Sequence, residues 1–198
     1  MAIVPYLLAF LPLCDAEVGM HDWNVVVSVR SDCYRWVRQR LREYARVDHT
    51  DYYNILALRV EDPDAFIEEL CRATVADPRL RDCLARAMPA PHTFLFQTAE
   101  EFEQRAQQAV AHFLPALGGK TFYVRMHRRG FRGTLASQKL EQSLDKYLLE
   151  NLAAGGTPGH VRFADADAVV VIETVGQWAG VALVTRALWA RCPFVDPE

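Results

Sequence analysis

Short apolar runs rich in β-branched residues alternate with amphipathic segments along the chain, and this alternation restricts the fold to a mixed α and β class. The runs at residues 23–29, 53–60 and 92–97 have the length and composition of buried strands. Between them, residues 34–45 and 63–87 carry apolar side chains at helical spacing. The first half of the chain is therefore predicted to run β-α-β-α-β.

The second half begins with a long amphipathic helix, predicted over residues 99–114, that ends before the Gly118-Gly119 pair. The elements that follow are a strand, a helix and two apolar strands, at residues 121–128, 137–154, 168–174 and 181–185. The predicted order is α-β-α-β-β, and the boundary between the two halves falls near Thr98. We therefore predict an α/β (α+β) fold in which two small modules share one continuous body, because each alone has a thin core.

Composition excludes several classes of protein. The chain has 198 residues, of which 51% are hydrophobic and 24% charged, a balance typical of folded globular proteins. Its net charge of −3 argues against a protein whose whole surface coats nucleic acid. The five cysteines form no C-x-x-C and are odd in number, which predicts free thiols in a reducing compartment and no disulfide framework. The cysteines and histidines lack zinc-type spacing, so we predict no metal site.

The beginning of the sequence differs in character from the rest. Residues 2–14 are apolar throughout, contain two prolines and are too short to span a bilayer as a helix. They lack the basic n-region and the cleavage site of a secretory signal. We treat residues 1–19 as an unassigned extension, with Met20 as the suspected start of the folded chain. We expect a cytoplasmic protein that does not engage a membrane.

Catalytic motifs are weak in this sequence. The segment GGKT at residues 118–121 resembles the end of a phosphate-binding P-loop, but Leu114 takes the place of its first glycine. The helix also precedes the strand here, whereas it follows the strand in a P-loop. The chain has no G-x-S-x-G motif. We therefore predict no catalytic residue and no cofactor.

The strongest constellation is the basic segment, which we define as residues 120–139. It has no acidic residue and six basic ones, which are Lys120, Arg125, Arg128, Arg129, Arg132 and Lys139. Strand alternation predicts Tyr123, Arg125 and His127 on one face, and Gly130 allows the turn that follows to approach a partner closely. Guanidinium groups bind phosphate bidentately and aromatic rings stack on bases. The alternative is a solvated strand end whose charges pair with carboxylates of the same chain.

A second basic stretch coincides with the predicted first helix. Its members are Arg30, Arg35, Arg38, Arg40, Arg42 and Arg46. Arginine is a good helix former, so a solvated helix face accounts for this stretch by itself. The stretch gains functional meaning only if it lies beside the basic segment.

Three consecutive parts of the second half form a recognisable pattern, namely LPALGGKTFYVRMHRRGFRG, LASQKLEQSLDKYLLENL and VRFADADAVVVIETVGQWAGVALVTR. Together they resemble the THUMP domain of tRNA thiouridine synthases, RNA methyltransferases, some pseudouridine synthases and adaptors of tRNA cytidine acetylation. The resemblance covers roughly residues 98–186, and the block before it is similar to the ferredoxin-like domain that accompanies THUMP in several of these proteins. It implies a ferredoxin-like domain over residues 20–97 and a THUMP α/β domain over residues 98–198.

The function implied by this resemblance is tRNA binding. It implies that Arg125, Arg128, Arg129 and Arg132 face the RNA. With the rest of the basic segment, the predicted RNA-binding residues are Lys120, Tyr123, Arg125, His127, Arg128, Arg129, Gly130, Arg132 and Lys139. No methyltransferase, pyrophosphatase-type or pseudouridine-synthase region follows the THUMP-like part. The chain is thus most similar to free-standing THUMP proteins, and we expect a non-catalytic protein that presents tRNA to a separate tRNA-modifying enzyme such as a cytidine acetyltransferase. DNA is not an expected partner.

The sequence departs from the THUMP pattern at two places, and two other functions stay open. Asp165 and Asp167 flank the position where the family commonly has a polar-Pro-Asp turn, and Asp145 lies where relatives often have glycine. The first alternative is an enzyme that modifies RNA or nucleotides at an unrecognised site. The second is a protein-interaction module anchored by an aromatic residue, for which the candidates are Trp36, Trp178 and Trp189.

Overall fold

The computed structural model describes residues 22–198, so the predictions for residues 1–19 and for Met20 lie outside the described residues. The chain forms two β-sheets with helices packed on them, and the predicted α/β (α+β) class is confirmed. None of the helices within residues 22–198 is both long and apolar enough to cross a bilayer.

The first sheet is antiparallel and four-stranded, in the order β2-β3-β1-β4. Its strands are β1 (Val25–Val29), β2 (Arg46–His49), β3 (Ile55–Arg59) and β4 (Leu84–Pro89). A 3-10 turn at Ser31–Cys33 leads into helix α1 (Tyr34–Leu41), while α2 (Pro63–Ala76) and α3 (Pro78–Cys83) connect β3 to β4. This β-α-β-β-α-β connectivity, with β1 and β3 in the centre, is the ferredoxin-like arrangement.

Two elements of this sheet differ from the sequence prediction. Strand β2 is absent from the predicted order, because it is a short edge strand in which Val47 alone is buried. Residues 84–89 form a strand where a helix is predicted. Leu84 and Ala87 continue the helical spacing of α3, but every residue of β4 except Ala85 is buried, and a fully buried strand cannot be told from a helix by periodicity.

The second sheet is mixed and five-stranded, in the order β5-β9-β8-β6-β7. Its strands are β5 (His92–Leu95), β6 (Thr121–His127), β7 (His160–Val161), β8 (Ala168–Val175) and β9 (Trp178–Thr185). Its helices are α4 (Ala99–Ala111), α5 (Leu114–Leu117), α6 (Ser137–Ala154) and α7 (Arg186–Arg191). Strand β6 runs parallel to β7 and β8, and β5 pairs with β9 rather than with the first sheet. The division into domains at residues 20–97 and 98–198 stays a prediction.

The two sheets share apolar packing. One core cluster joins Val25 and Leu58 of the first sheet to Val169 of the second. A smaller cluster surrounds Trp23, and there Gly180 of β9 approaches closely: a Cβ on Gly180 would lie 2.8 Å from the Trp23 ring. Any larger residue at position 180 would force the sheets apart.

Two disulfides correct the prediction of free thiols. Cys33 bonds to Cys83, and Cys71 bonds to Cys192, each with Cα atoms 5.5 Å apart. The first joins the start of α1 to the end of α3, and the second ties α2 to the segment after α7. The bonded residues are 50 and 121 positions apart, so no local spacing in the sequence signals either bond.

We expect loss of the Cys71–Cys192 bond to lower the free energy of unfolding by about 3–5 kcal/mol, because it closes a long loop in the unfolded chain. Urea denaturation of the Cys71→Ser/Cys192→Ser variant measures this, with Cys14→Ser as the control for loss of a thiol. Unchanged stability, together with reactive thiols at both positions in the native protein, would contradict the assignment.

Asp145 is a buried acid on α6 that supports the neighbouring strand. It accepts a hydrogen bond of 2.8 Å from the backbone N–H of Val124. Burial raises the pKa of Asp145 to about 7. Between about pH 4 and pH 7 the unfolded chain has lost this proton while the folded chain keeps it, so this group makes stability fall as the pH rises through that range.

The Asp145→Asn variant keeps an oxygen that can accept from Val124 but cannot ionise. We expect it to gain stability relative to the unmodified protein by about 2–4 kcal/mol between pH 4 and pH 8. Urea denaturation across this range measures the difference. A difference that stays constant with pH would show that Asp145 does not carry the raised pKa.

Candidate nucleic-acid interface

The candidate interface is built around the connection between β6 and α6. We call residues 128–133 the arginine turn, because they contain Arg128, Arg129 and Arg132. The backbone N–H of Arg129 donates to Thr174 Oγ1 at 2.8 Å, and the Arg129 carbonyl accepts from the N–H of Gly176 at 3.2 Å. The turn is therefore fastened to the hairpin between β8 and β9.

Gly130 brings the first sheet against the arginine turn. Its φ is +100°, a conformation that favours glycine. A Cβ at this position would lie only 2.7 Å from the Tyr52 hydroxyl oxygen. The Tyr52 side chain, from the loop between β2 and β3, thus reaches the turn, and the positive φ of Gly130 favours glycine at the point of contact.

A buried carboxylate fixes the base of the turn. Glu173 of β8 is 1% exposed, and its Oε1 lies 2.8 Å from Arg86 Nη1 of β4. Its other oxygen forms an ion pair with Arg129. Arg129 also approaches Ser28 Oγ of β1 at 3.4 Å. The Arg129 guanidinium therefore points inward and joins the sheets, which corrects the expectation that it faces RNA.

Tyr123, Arg125 and His127 share one face of β6, as the alternation predicts, but that face is covered. Residues 196–198 lie over it: the Tyr123 hydroxyl and the Arg125 guanidinium both donate to the Glu198 carboxylate. His127 Nε2 lies 2.9 Å from the Pro197 carbonyl oxygen. The predicted open basic face is thus a face packed against the chain's own acidic segment.

The electrostatics of this covered face follow from its burial. Tyr123 is 4% exposed, and burial together with the Glu198 carboxylate raises the pKa of its phenol. Burial also lowers the pKa of His127, which favours a neutral imidazole at pH 7. At this face Arg125 is therefore the main cation beside Glu198.

The remaining cations of the basic segment differ in their exposure to solvent. Arg132 and Lys139 are exposed, and Arg128 is half-buried with its Nη1 on the Gly130 carbonyl at 2.9 Å. Within residues 22–198 none of these three forms an ion pair. Lys120 is exposed too, but it precedes β6 and lies roughly 20 Å along the strand from the turn. Arg128 and Arg132 lie on the turn, Lys139 lies on α6 beside a small pocket that Glu100 and Glu103 also line, and Lys120 lies at the far end of β6.

Sequence reasoning missed a cleft beside the turn. The cleft, which we call the tyrosine cleft, has a volume of about 620 Å³. Residues 31–35 form one wall and residues 50–54 the other, and its side chains include Tyr34, Arg35, Tyr52 and Tyr53. Tyr52 belongs both to this cleft and to the contact with Gly130. Arg35 of the second basic stretch therefore lines a cleft that is linked to the arginine turn through Tyr52.

The other members of the second basic stretch are partly neutralised. Arg40 pairs with Glu43 and Arg46 with Asp48. The tryptophans considered as protein anchors are half-buried, and Trp36 stacks under the Arg79 guanidinium at 4.4 Å. No group of three or more potential metal ligands occurs in the described part of the chain.

Comparison with known proteins supports the fold. No protein-family model and no curated protein sequence matches the chain. Among solved structures it is similar to PH1313 from Pyrococcus horikoshii, with a TM-score of 0.58 and 15% identity over 81% of this chain and 54% of that one. It is also similar to a 4-thiouridine synthetase in complex with RNA and ATP, with a TM-score of 0.52 and 14% identity over 83% of this chain and 42% of that one. A third similar structure is TrmN from Thermus thermophilus, with a TM-score of 0.53 and 15% identity over 82% of this chain and 45% of that one. The chain spans about half the length of these structures, and at such identities the similarity shows the fold alone.

We expect the Glu173→Gln variant to lose about 3–5 kcal/mol of unfolding free energy, because it leaves two buried guanidinium groups without a counter-charge. The matched control is Glu150→Gln, since Glu150 also pairs with a cation, Lys146, but at an exposed site where a pair contributes less than about 1 kcal/mol. Equal losses in the two variants, measured by urea denaturation, would contradict the structural role of Glu173.

Proposed function

We propose that this chain is an RNA-binding protein of the THUMP type and that its RNA is tRNA. The observation that carries the proposal is the arginine turn, on which Arg128 and Arg132 stand free of carboxylates while Arg129 anchors the turn from inside. Cations held on a rigid frame lose little conformational entropy when they bind phosphate. The turn is therefore suited to a folded polyanion.

The similar structures support the same function. One of them is a 4-thiouridine synthetase crystallised with RNA. The shared fold covers 83% of this chain, and the motif resemblance to THUMP falls on the strand, turn and helix that carry Arg128, Arg132 and Lys139. Fold and charge thus point to one surface.

We propose a smaller set of RNA-binding residues than the sequence predicts. Arg128 and Arg132 would form the central contact, with Lys139 on α6, Arg35 in the tyrosine cleft and Lys120 before β6 as outer positions. Tyr123, Arg125 and His127 would reach RNA only if residues 196–198 moved away from β6. With about three phosphates neutralised, log K for duplex regions should fall with log salt at a slope of roughly −3.

We further propose that the protein is a non-catalytic adaptor that presents tRNA to a separate modifying enzyme, such as a cytidine acetyltransferase. The motif resemblance to the THUMP domain, which also occurs in adaptors of tRNA cytidine acetylation, supports this role. A cytoplasmic location follows from the choice of tRNA as partner. The two disulfides count against that location, because such bonds are rare in reducing compartments.

The competing function is modification of RNA by this chain itself, which is favoured by the presence of a synthetase among the similar structures. Incubation of the purified protein with unmodified tRNA and common group donors, followed by nucleoside analysis, separates the two functions. The adaptor role predicts no modified nucleoside without a second protein. A modified nucleoside formed by this chain alone would overturn it.

We expect the Arg128→Ser/Arg132→Ser variant to bind tRNA at least tenfold more weakly, with a salt slope smaller in magnitude by about 2, because two phosphate contacts are lost. Gel-shift titrations at several salt concentrations measure both quantities. Arg72→Ser/Arg105→Ser removes the same charge from α2 and α4 and is the control. Absence of tRNA binding by the unmodified protein at low salt, or an equal loss in the control, would contradict the proposed function.

A further inference from the structure

The tyrosine cleft has chemistry that the phosphate contacts do not use. Its floor and walls combine three phenol rings with two carboxylates, from Asp32 and Asp51, and one guanidinium, from Arg35. Arg35 and both aspartates are exposed, and within residues 22–198 none of the three takes part in an ion pair. These groups are therefore available to a ligand.

The loop that carries the tyrosines is ordered by its own hydrogen bonds. Thr50 Oγ1 accepts from the N–H of Tyr52 at 3.2 Å, and the N–H of Ile55 donates to the Tyr52 carbonyl at 3.2 Å. The Asn54 carbonyl accepts from the N–H of Val29 on β1 at 2.9 Å, and the φ of Asn54 is +57°. The loop is thus tied into the sheet at its far end and closed by a side chain at its near end.

On this ordered loop the Tyr53 ring stands in solvent. It is 81% exposed, and within residues 22–198 Phe163, at 68%, is the one other aromatic side chain with a large exposed fraction. An exposed ring on a preorganised loop offers a stacking surface at low entropic cost. A planar partner would cover it.

The charges of the cleft decide which part of a nucleic acid would enter. Asp32 and Asp51 repel phosphate, but their oxygens accept hydrogen bonds from the amino and imino groups of bases. Arg35 lies in the same wall and can hold a phosphate at the rim. The cleft is therefore suited to a base, while the arginine turn is suited to the backbone.

We propose that the tyrosine cleft receives one unpaired nucleotide of the bound RNA, with its base stacked on Tyr53 and its amino or imino groups facing Asp32 or Asp51. This inference rests on the proposed RNA binding and adds the substrate feature that the protein reads. The cleft volume of about 620 Å³ lies in the range of small-molecule sites. A base inside a duplex is already stacked and paired, so only an unpaired nucleotide can enter.

The position of the tyrosine cleft relative to the arginine turn also supports a nucleotide site. Tyr52 forms part of the cleft and also packs against Gly130, so the cleft and the arginine turn are neighbouring parts of one surface. The proposed path of the RNA therefore runs from phosphates on Arg128 and Arg132, past Tyr52, to a base in the cleft.

The test compares three variants with three RNA probes. Tyr53→Ala removes the ring, Tyr53→Phe keeps it, and Val75→Ala trims a side chain of similar exposure on α2. The probes are unmodified tRNA transcripts, a short oligoadenylate and a blunt RNA duplex without unpaired nucleotides. We expect Tyr53→Ala to weaken binding of tRNA and oligoadenylate about tenfold and to leave duplex binding unchanged, while Tyr53→Phe and Val75→Ala bind all three as the unmodified protein does. Melting curves of each variant confirm that it is folded.

Any other outcome contradicts the assignment of the tyrosine cleft as a nucleotide site. If Arg128→Ser/Arg132→Ser weakens tRNA binding while Tyr53→Ala does not, the cleft is not a nucleotide site but the proposed RNA binding stands. If Tyr53→Phe loses as much as Tyr53→Ala, or if duplex binding falls equally, stacking of an unpaired base is excluded. If the unmodified protein binds none of the probes, the cleft and the proposed function both fail.

Discussion

The surface proposed to bind RNA depends on one buried carboxylate. Glu173 lies between Arg86 of the first sheet and Arg129 of the arginine turn, where water is excluded. Burying charges costs several kcal/mol for each ion unless every one is compensated. The arrangement is therefore stable only when both sheets and the turn are in place together. One interaction thus sets how the two halves meet and where the candidate surface begins.

Around this carboxylate the basic segment divides into two groups with different roles. The inward group stabilises the fold. Arg129 forms an ion pair with Glu173, and Arg125 and Tyr123 bind the carboxylate of Glu198. The outward group is available to a partner. The inward group matches the alternative interpretation of the basic segment, in which its charges pair with carboxylates of the same chain. Arg125 on β6 and Arg129 on the turn are therefore structural, whereas Arg128 and Arg132 on the turn form no ion pair within residues 22–198.

Local patterns in the sequence predict much of the fold and part of the site. The alternation along β6 is a local property with a period of two, so the shared face of Tyr123, Arg125 and His127 follows from it directly. The packing of residues 196–198 on that face does not follow from the local pattern, because Tyr123 and Glu198 are 75 residues apart in the sequence. The approach of Tyr52 to Gly130 and the two disulfides are likewise long-range contacts with no local signal. Strand β4 was missed because complete burial removes the alternation by which a strand is recognised.

Ultraviolet crosslinking of the unmodified protein to tRNA, with identification of the crosslinked peptides, tests the location of the RNA surface most directly. Crosslinks concentrated within residues 128–139, with further ones at residues 50–54, are the predicted result. Crosslinks confined to α2, α3 or α4, or none at a salt concentration where tRNA is bound, would contradict the assignment of the arginine turn as the RNA-binding surface.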